Sequence, residues 1–475
     1  RRIRELTGSL NSPGGASLMK DIGVLKFQTG DRKAALHAYG VAREIRSALG
    51  TLMTVDGASL ATSMGIAKAV EGDFAGALES FQEAHKIRQD LNALQTPDGA
   101  SLLREIANIH VHRGELDAAL LLYEEAKTIR KSIGSLETPD GAALLASISI
   151  MLKQRGQLKQ ALAESEEARR IREQTGSLNS PGGASLMKEI GILRFQTGDR
   201  RGALTAYGAA HDIRESLGTL ATVDGASLAT SMGIAKAVEG DFAGALESFQ
   251  EARKIRRDLN SIQTPDGASL LREIANIHVH RGELDAALLL YEEAKTIRKS
   301  IGSLETPDGA ALLASISIVL KQRGQLKQAL AESEEARRIR EQTGSLNSPG
   351  GASLMKEIGI LRFQTGDRKA AGEAYSVAHD IREDLGTLAT VDGASLATSM
   401  GIAKAVEGDF AGALDSFQEG RKIREDLNSL QTPDGASLLR EIANIHVHWG
   451  KLDAALLLYE EARSIRKSTG SFETP

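Results

Sequence analysis

Apolar residues recur at helical spacing along the whole chain, and the pattern restarts on a fixed beat. In residues 96–137, Leu102, Leu103, Ile106, Ala107 and Ile109 share one helical stripe. Leu116, Ala119, Leu120, Tyr123, Ala126 and Ile129 share a second. Thr96-Pro97-Asp98 reads as a helix start: Thr as N-cap, Pro where its missing N–H costs nothing, Asp near the positive end of the dipole. Arg113-Gly114-Glu115 interrupts the pattern between the two stripes, and Gly134 closes the second where a left-handed residue is favoured. The stretch is predicted to fold as two helices back to back.

That pair repeats. Gly15, Gly57, Gly99, Gly141 and their successors to Gly435 stand 42 residues apart without slippage. A second ladder runs through Gly8, Gly50, Asn92 and Gly134, with Asn again at 260 and 428. Asn is the other residue that tolerates a left-handed backbone, so the ladder has a conformational cause. Above this lies a longer period: four different units form a block of 168 residues, and residues 169–336 differ from 1–168 at about 18 positions. The phrase PDGASLLREIANIHVH accordingly recurs from Pro97, Pro265 and Pro433. Residues 1–10 align with the tail of a preceding unit, and 11–475 read as one continuous array in blocks 1–168, 169–336 and 337–475.

The small and aromatic positions of each unit resemble the tetratricopeptide repeat. Ala107, Ala119, Tyr123 and Ala126 occupy its small, small, aromatic and small slots. Gly65, Ala77, Phe81 and Ala84 do so one unit earlier, and Gly23, Ala35, Tyr39 and Ala42 one earlier still. The fourth unit has Ser149, Ala161, Ser165 and Ala168, and so departs by lacking the aromatic. The 42-residue length, with its long connection IRKSIGSLETPDG, is similar to kinesin-light-chain repeats. The paired Asn usual in the first helix of those repeats is replaced here by Thr62-Ser63 or Arg104-Glu105. The resemblance implies an all-α, right-handed superhelical solenoid of about eleven antiparallel helix pairs, with first helices lining an inner groove.

Composition narrows the function classes. A net charge of −5 over 475 residues gives no electrostatic reason for a nucleic-acid partner, and no apolar run approaches the ~18 residues of a membrane span. Without cysteine there are no disulfides or thiolate metal sites. The opening RRIRELTG has no apolar signal core, so a cytoplasmic location is expected.

Candidate chemistry is sparse. His110 and His112, repeated at His278/His280 and His446/His448, lie roughly 200° apart around a helix and cannot share one ion. Ser17-Leu18-Met19-Lys20 matches an S-x-x-K acylase motif, but it recurs in every block with no S-D-N or K-T-G beside it. No P-loop occurs. The regular row Arg4, Arg46, Arg88, Arg130 is expected to complement helix C-termini and pair with acids such as Glu124 or Glu125; a row gripping a polyanion is the alternative. No catalytic residue, cofactor or metal site is therefore assigned.

What remains is the inner face of the first helices. By family register it carries Lys20, Phe27, Arg104, Asn108 and His112, then Lys188, Phe195, Arg272, Asn276 and His280, then Lys356, Phe363, Arg440, Asn444 and His448. Val24, Ile66 and Ile150 lie among them, and exposed apolar surface usually meets something. The expectation is a non-enzymatic scaffold binding protein or peptide partners along this groove, as a segment of a longer array. Two other readings stand beside it. Blocks this alike, without polar capping units, suit a self-assembling fibre in which copies stack end to end. Repeats of this kind also serve as sensor arms of larger signalling NTPases.

Overall fold

The computed structural model describes residues 10–470, which form 22 helices and no strand. Adjacent helices pair along the chain, giving an all-α repeat solenoid. The chain divides into two compact units, Arg1–Ser248 and Phe249–Pro475. All of the expected leading tail except Leu10 lies outside the described residues.

Local chemistry sets each helix start. The first helix of the 96–137 repeat spans Pro97–His112 and the second Leu116–Ser132. The Thr96 hydroxyl accepts from the Gly99 N–H at 3.1 Å and donates to the Ala93 carbonyl at 2.9 Å. A residue with a side chain could not replace Gly99, because its Cβ would lie 2.1 Å from the Leu94 carbonyl oxygen. The first glycine ladder therefore marks a close approach of the incoming connection. The second ladder has the expected conformational cause: φ is 67° at Gly134 and 53° at Asn92.

Packing within a pair centres on the aromatic slot. At Gly23 a Cβ would meet Tyr39 Cε1 at 2.4 Å, and Gly65 stands in the same relation to Phe81. Removing the side chain from the first helix lets the ring of the second lie on its backbone. Tyr39, Phe81 and Tyr123 are all buried. Burying such a ring stabilises by roughly 1.5–3 kcal/mol. In the first compact unit the largest core cluster runs from Ala100 to Ala235, and in the second from Ala268 to Ala403. Each crosses several repeats, as a solenoid requires.

The arginine row corrects one expectation. Arg46, Arg88, Arg130 and most of their equivalents are buried, Arg340 and Arg466 are half-buried, and Arg4 lies outside the described residues, so the row offers no exposed basic ladder to a polyanion. Their partners lie across the connection, not at Glu124 or Glu125. Arg46 Nη2 reaches Asp56 Oδ2 at 3.2 Å and Ser17 Oγ at 3.4 Å. Arg88–Asp98, Arg256–Asp266 and Arg382–Asp392 repeat the ion pair at 3.2–3.4 Å. Each of these four arginines thus ties its own helix pair to the first turn of the next. Asp56 is largely exposed, so the charge contribution is modest, and the packed alkyl stem supplies much of the effect.

Candidate interaction face

The residues singled out on the first helices fall into three arrangements. Lys20, Lys188 and Lys356 reach forward to the next first helix, donating to Ser59, Ser227 and Ser395 at 2.6, 3.1 and 3.4 Å. Burial pulls the Lys188 and Lys356 amines below the ordinary lysine value, with Asp224 and Asp392 opposing it. Phe27, Phe195 and Phe363 are partly buried against the core clusters of their own repeats. These two sets hold repeats together as much as they face outward.

The third set is a polar network unique to the third repeat of each block. Arg104 donates through Nε and Nη2 to one oxygen of Glu105, whose other oxygen accepts from Asn108 Nδ2 at 3.2 Å. Asn108 Oδ1 in turn accepts from the Tyr123 hydroxyl at 2.6 Å. Arg272–Glu273–Asn276–Tyr291 and Arg440–Glu441–Asn444–Tyr459 reproduce it, with the same 2.6 Å phenol bond. Burial, reinforced by Glu105, pushes the Tyr123 phenol far above its usual value; Tyr291 is pushed up to about 12. Both phenols therefore stay protonated and donate at neutral pH. The Asn108 carboxamide is held at both ends by its own chain.

The histidines separate as their spacing predicts. His110 Nδ1 sits 2.5 Å from Glu115 Oε2, while His112 stacks on Phe74 of the preceding repeat with ring centroids 4.8 Å apart. In the third copy Lys451 replaces that glutamate, and His446 lies edge-on to Trp449 instead. His448 stacks on Phe410.

These elements enclose a recess. A cavity of about 460 Å³ is lined by Asn108, Val111, His112 and Tyr123 from one repeat, with Ser147, Ile150 and Gln154 from the next. One block later the same position holds a cavity of about 340 Å³, lined by Asn276, Val279, His280, Tyr291, Ser315, Ile318 and Val319. Ile150 and Ile318 are 42% and 41% exposed at these places. Each recess thus combines an apolar floor with amide, imidazole and hydroxyl groups. Val111 and Ser147 carry no signal of this in the sequence. Their place in the recess appears only once two neighbouring repeats are set side by side.

Comparison with known proteins follows the same repeats. The tetratricopeptide repeat family model matches residues 58–132 and 226–300, the second and third repeats of the first two blocks. No curated protein matches the sequence. Among solved structures, BtubC (BKLC) from P. vanneervenii is similar at 22% identity and a TM-score of 0.34, over 57% of this chain and 92% of that one. A kinesin light chain-type protein of Podosopora anserina with nearly identical TPR-like repeats is similar at 17% identity and a TM-score of 0.38, over 43% and 97%. A monomeric IFIT1 mutant with Gppp-AAAA is similar at 14% identity and a TM-score of 0.47, over 86% and 90%. Among the described residues no helix is long and apolar enough to cross a membrane.

Proposed function

From the premise that this chain is a tetratricopeptide repeat protein, we propose that it is a non-enzymatic scaffold that binds protein segments along its first helices. The supporting observation is the recess beside Asn108, which recurs beside Asn276 on the same kinds of side chain. In each recess the nearby charges are already engaged: Arg104 with Glu105, and Lys153 with Glu189 at 2.6 Å. A bound segment would meet neutral donors and acceptors around an exposed isoleucine. That favours an extended peptide bearing an apolar side chain flanked by uncharged polar ones. Two recesses in one chain would add affinity through multivalency.

The test is selection of a random peptide library on the intact chain, followed by binding of the enriched peptides to variants. Charge placed on the recess floor in I150E/I318E is expected to weaken binding at least about tenfold. The variant L121E/L289E, on exposed leucines of second helices outside the recess, is expected to leave it unchanged. Enriched peptides that bind I150E/I318E as tightly as the parent chain would overturn the proposal.

A further inference from the structure

Away from that face, the second helix of the first repeat in a block carries a different set of side chains. We propose that the chain binds a borderline transition-metal dication such as Zn2+ at two equivalent triads on these helices. One is His211, Asp212 and Glu215 on Arg200–Ser216; the other is His379, Asp380 and Glu383 on Arg368–Asp384.

The geometry is close to that of a ligand set. In each triad one imidazole nitrogen and two carboxylate oxygens all lie within 4.8 Å of one another. Donor atoms around tetrahedral zinc stand about 3.4 Å apart, so the groups must close by about an ångström. The histidine and the glutamate four residues on share one helix face. The intervening aspartate is short, exposed and free to turn, and its oxygen already sits 3.8 Å from the histidine Nδ1 in both copies. One imidazole with two carboxylates suits Zn2+, Cu2+ or Ni2+. Ca2+ wants six or more oxygens, and Mg2+ near-ideal octahedral geometry, which three side chains do not supply.

Two further observations single out this patch. The first is a neighbour: Glu419, on the second helix of the following repeat, places Oε1 4.0 Å from His379 Nε2. With Nδ1 on the ion, Nε2 faces a carboxylate that a small side-chain rotation would bring within hydrogen-bond reach, the kind of partner that fixes tautomer and ring orientation in metal sites. The second comes from the first block, where the same three positions are Arg43, Glu44 and Ser47. There Arg43 forms an ion pair at 3.1 Å with Glu83, the equivalent of Glu419. Three of the differences between the first two blocks fall on these positions, and the third block keeps the changed set. With neutral histidine the formal charge of the triad changes from 0 to −2 (Arg plus Glu against Asp plus Glu). An arginine-anchored junction becomes a chelating one.

Titration of the full chain with ZnCl2 by calorimetry, in a buffer that does not coordinate metals, tests this. Two ions per chain are expected, falling to one in H211A or H379A and to none in the double variant. All variants should keep their helicity, because both rings are partly exposed and outside the core. E419Q is expected to weaken only the His379 site, by roughly tenfold, as loss of an outer-shell partner does. CaCl2 should give no comparable heat. No Zn2+ binding, or binding that H211A/H379A leaves unchanged, overturns the assignment, as does Ca2+ bound equally tightly with no effect of either histidine.

Discussion

Two neighbouring repeats fill one slot in opposite ways. In 96–137 the slot holds Tyr123, 1% exposed, whose hydroxyl emerges to bind Asn108 on the first-helix face. In 138–179 it holds a pair of fully buried serines: Ser165 Oγ donates to Ser149 Oγ at 2.7 Å, which donates to the Ala161 carbonyl at 2.7 Å. In the first repeat the polar group of the slot reaches through to the first-helix face, where Asn108 covers it; in the second it is consumed inside. The surface positions follow suit. Where the phenol emerges, the face carries Asn108, and in the serine repeat the same position is the exposed Ile150. The recess lies where these two solutions meet, which is why its lining is half polar and half apolar.

Truncating the ring should do the greatest damage. Tyr123→Ala empties a fully packed slot, and loss of a buried aromatic of this size costs about 3–5 kcal/mol. Because each repeat leans on its neighbours, hydrogen exchange is the informative measurement. Protection should fall across 97–132 and the adjoining helix Pro139–Gln154, and persist in Arg32–Ala48. Uniform loss across the first compact unit would mean that the repeats unfold together and that the slot is not a local device. Ser165→Ala, by contrast, removes one hydrogen bond and is expected to cost about 1 kcal/mol.

Forcing the serine repeat into the aromatic solution comes next. Ser165→Tyr overpacks a closed slot, at about 1–3 kcal/mol. The glycine beneath Tyr39 indicates the cure: S149G/S165Y, which removes the opposing side chain, should recover most of that loss in urea midpoint. A double variant no more stable than Ser165→Tyr alone would show that the first-helix residue does not decide which solution a repeat adopts.

Both solutions were half visible in the sequence. The 42-residue beat, the caps, the left-handed Gly and Asn positions and the small-against-aromatic slot are local, since each depends on residues within one helix or one turn. The partners of the arginine row were not. Helical spacing pointed Arg130 to Glu124 or Glu125, whereas the chain doubles back through the connection. Arg46 therefore meets Asp56, ten positions on, and Ser17, twenty-nine positions back. The same holds for Lys20 with Ser59 and for His112 with Phe74. Asn108 could be placed on the face by register, but its engagement at both ends depends on how far Tyr123 projects. The His-Asp-Glu set at 211–215 lies on one helix and was legible in principle.

Removing only the hydroxyl isolates the polar group that reaches the first-helix face. Tyr123→Phe keeps the ring and frees Asn108 Oδ1, which water can reach, so the cost is expected near 1 kcal/mol. The gain in freedom of the carboxamide is measurable as faster relaxation of the Asn108 side-chain amide. An unchanged amide would mean that Glu105 alone fixes it.

The effect that builds only gradually is one of alkali. The Tyr123 and Tyr291 phenols are raised above the ordinary value of 10, mainly by burial, and Tyr291 reaches about 12. The folded state therefore holds these protons after the unfolded chain has begun to release them. Their stabilisation is complete below pH 10 and is lost as pH rises toward the folded value, about 12 for Tyr291. At pH 10.5 the loss amounts to about 1 kcal/mol for each phenol. Comparing urea midpoints of the parent chain and Y123F/Y291F between pH 8 and 11 exposes it. The variant starts lower, and the gap narrows above pH 10, because phenylalanine has no proton to give up. The serine slots carry no such group, so Ser165→Ala should lie a constant distance below the parent across the same range. A gap between parent and Y123F/Y291F that stays equally constant would mean that the two phenols are not sealed in the folded chain, and the contrast between outward-reaching and consumed polarity would lose its energetic basis.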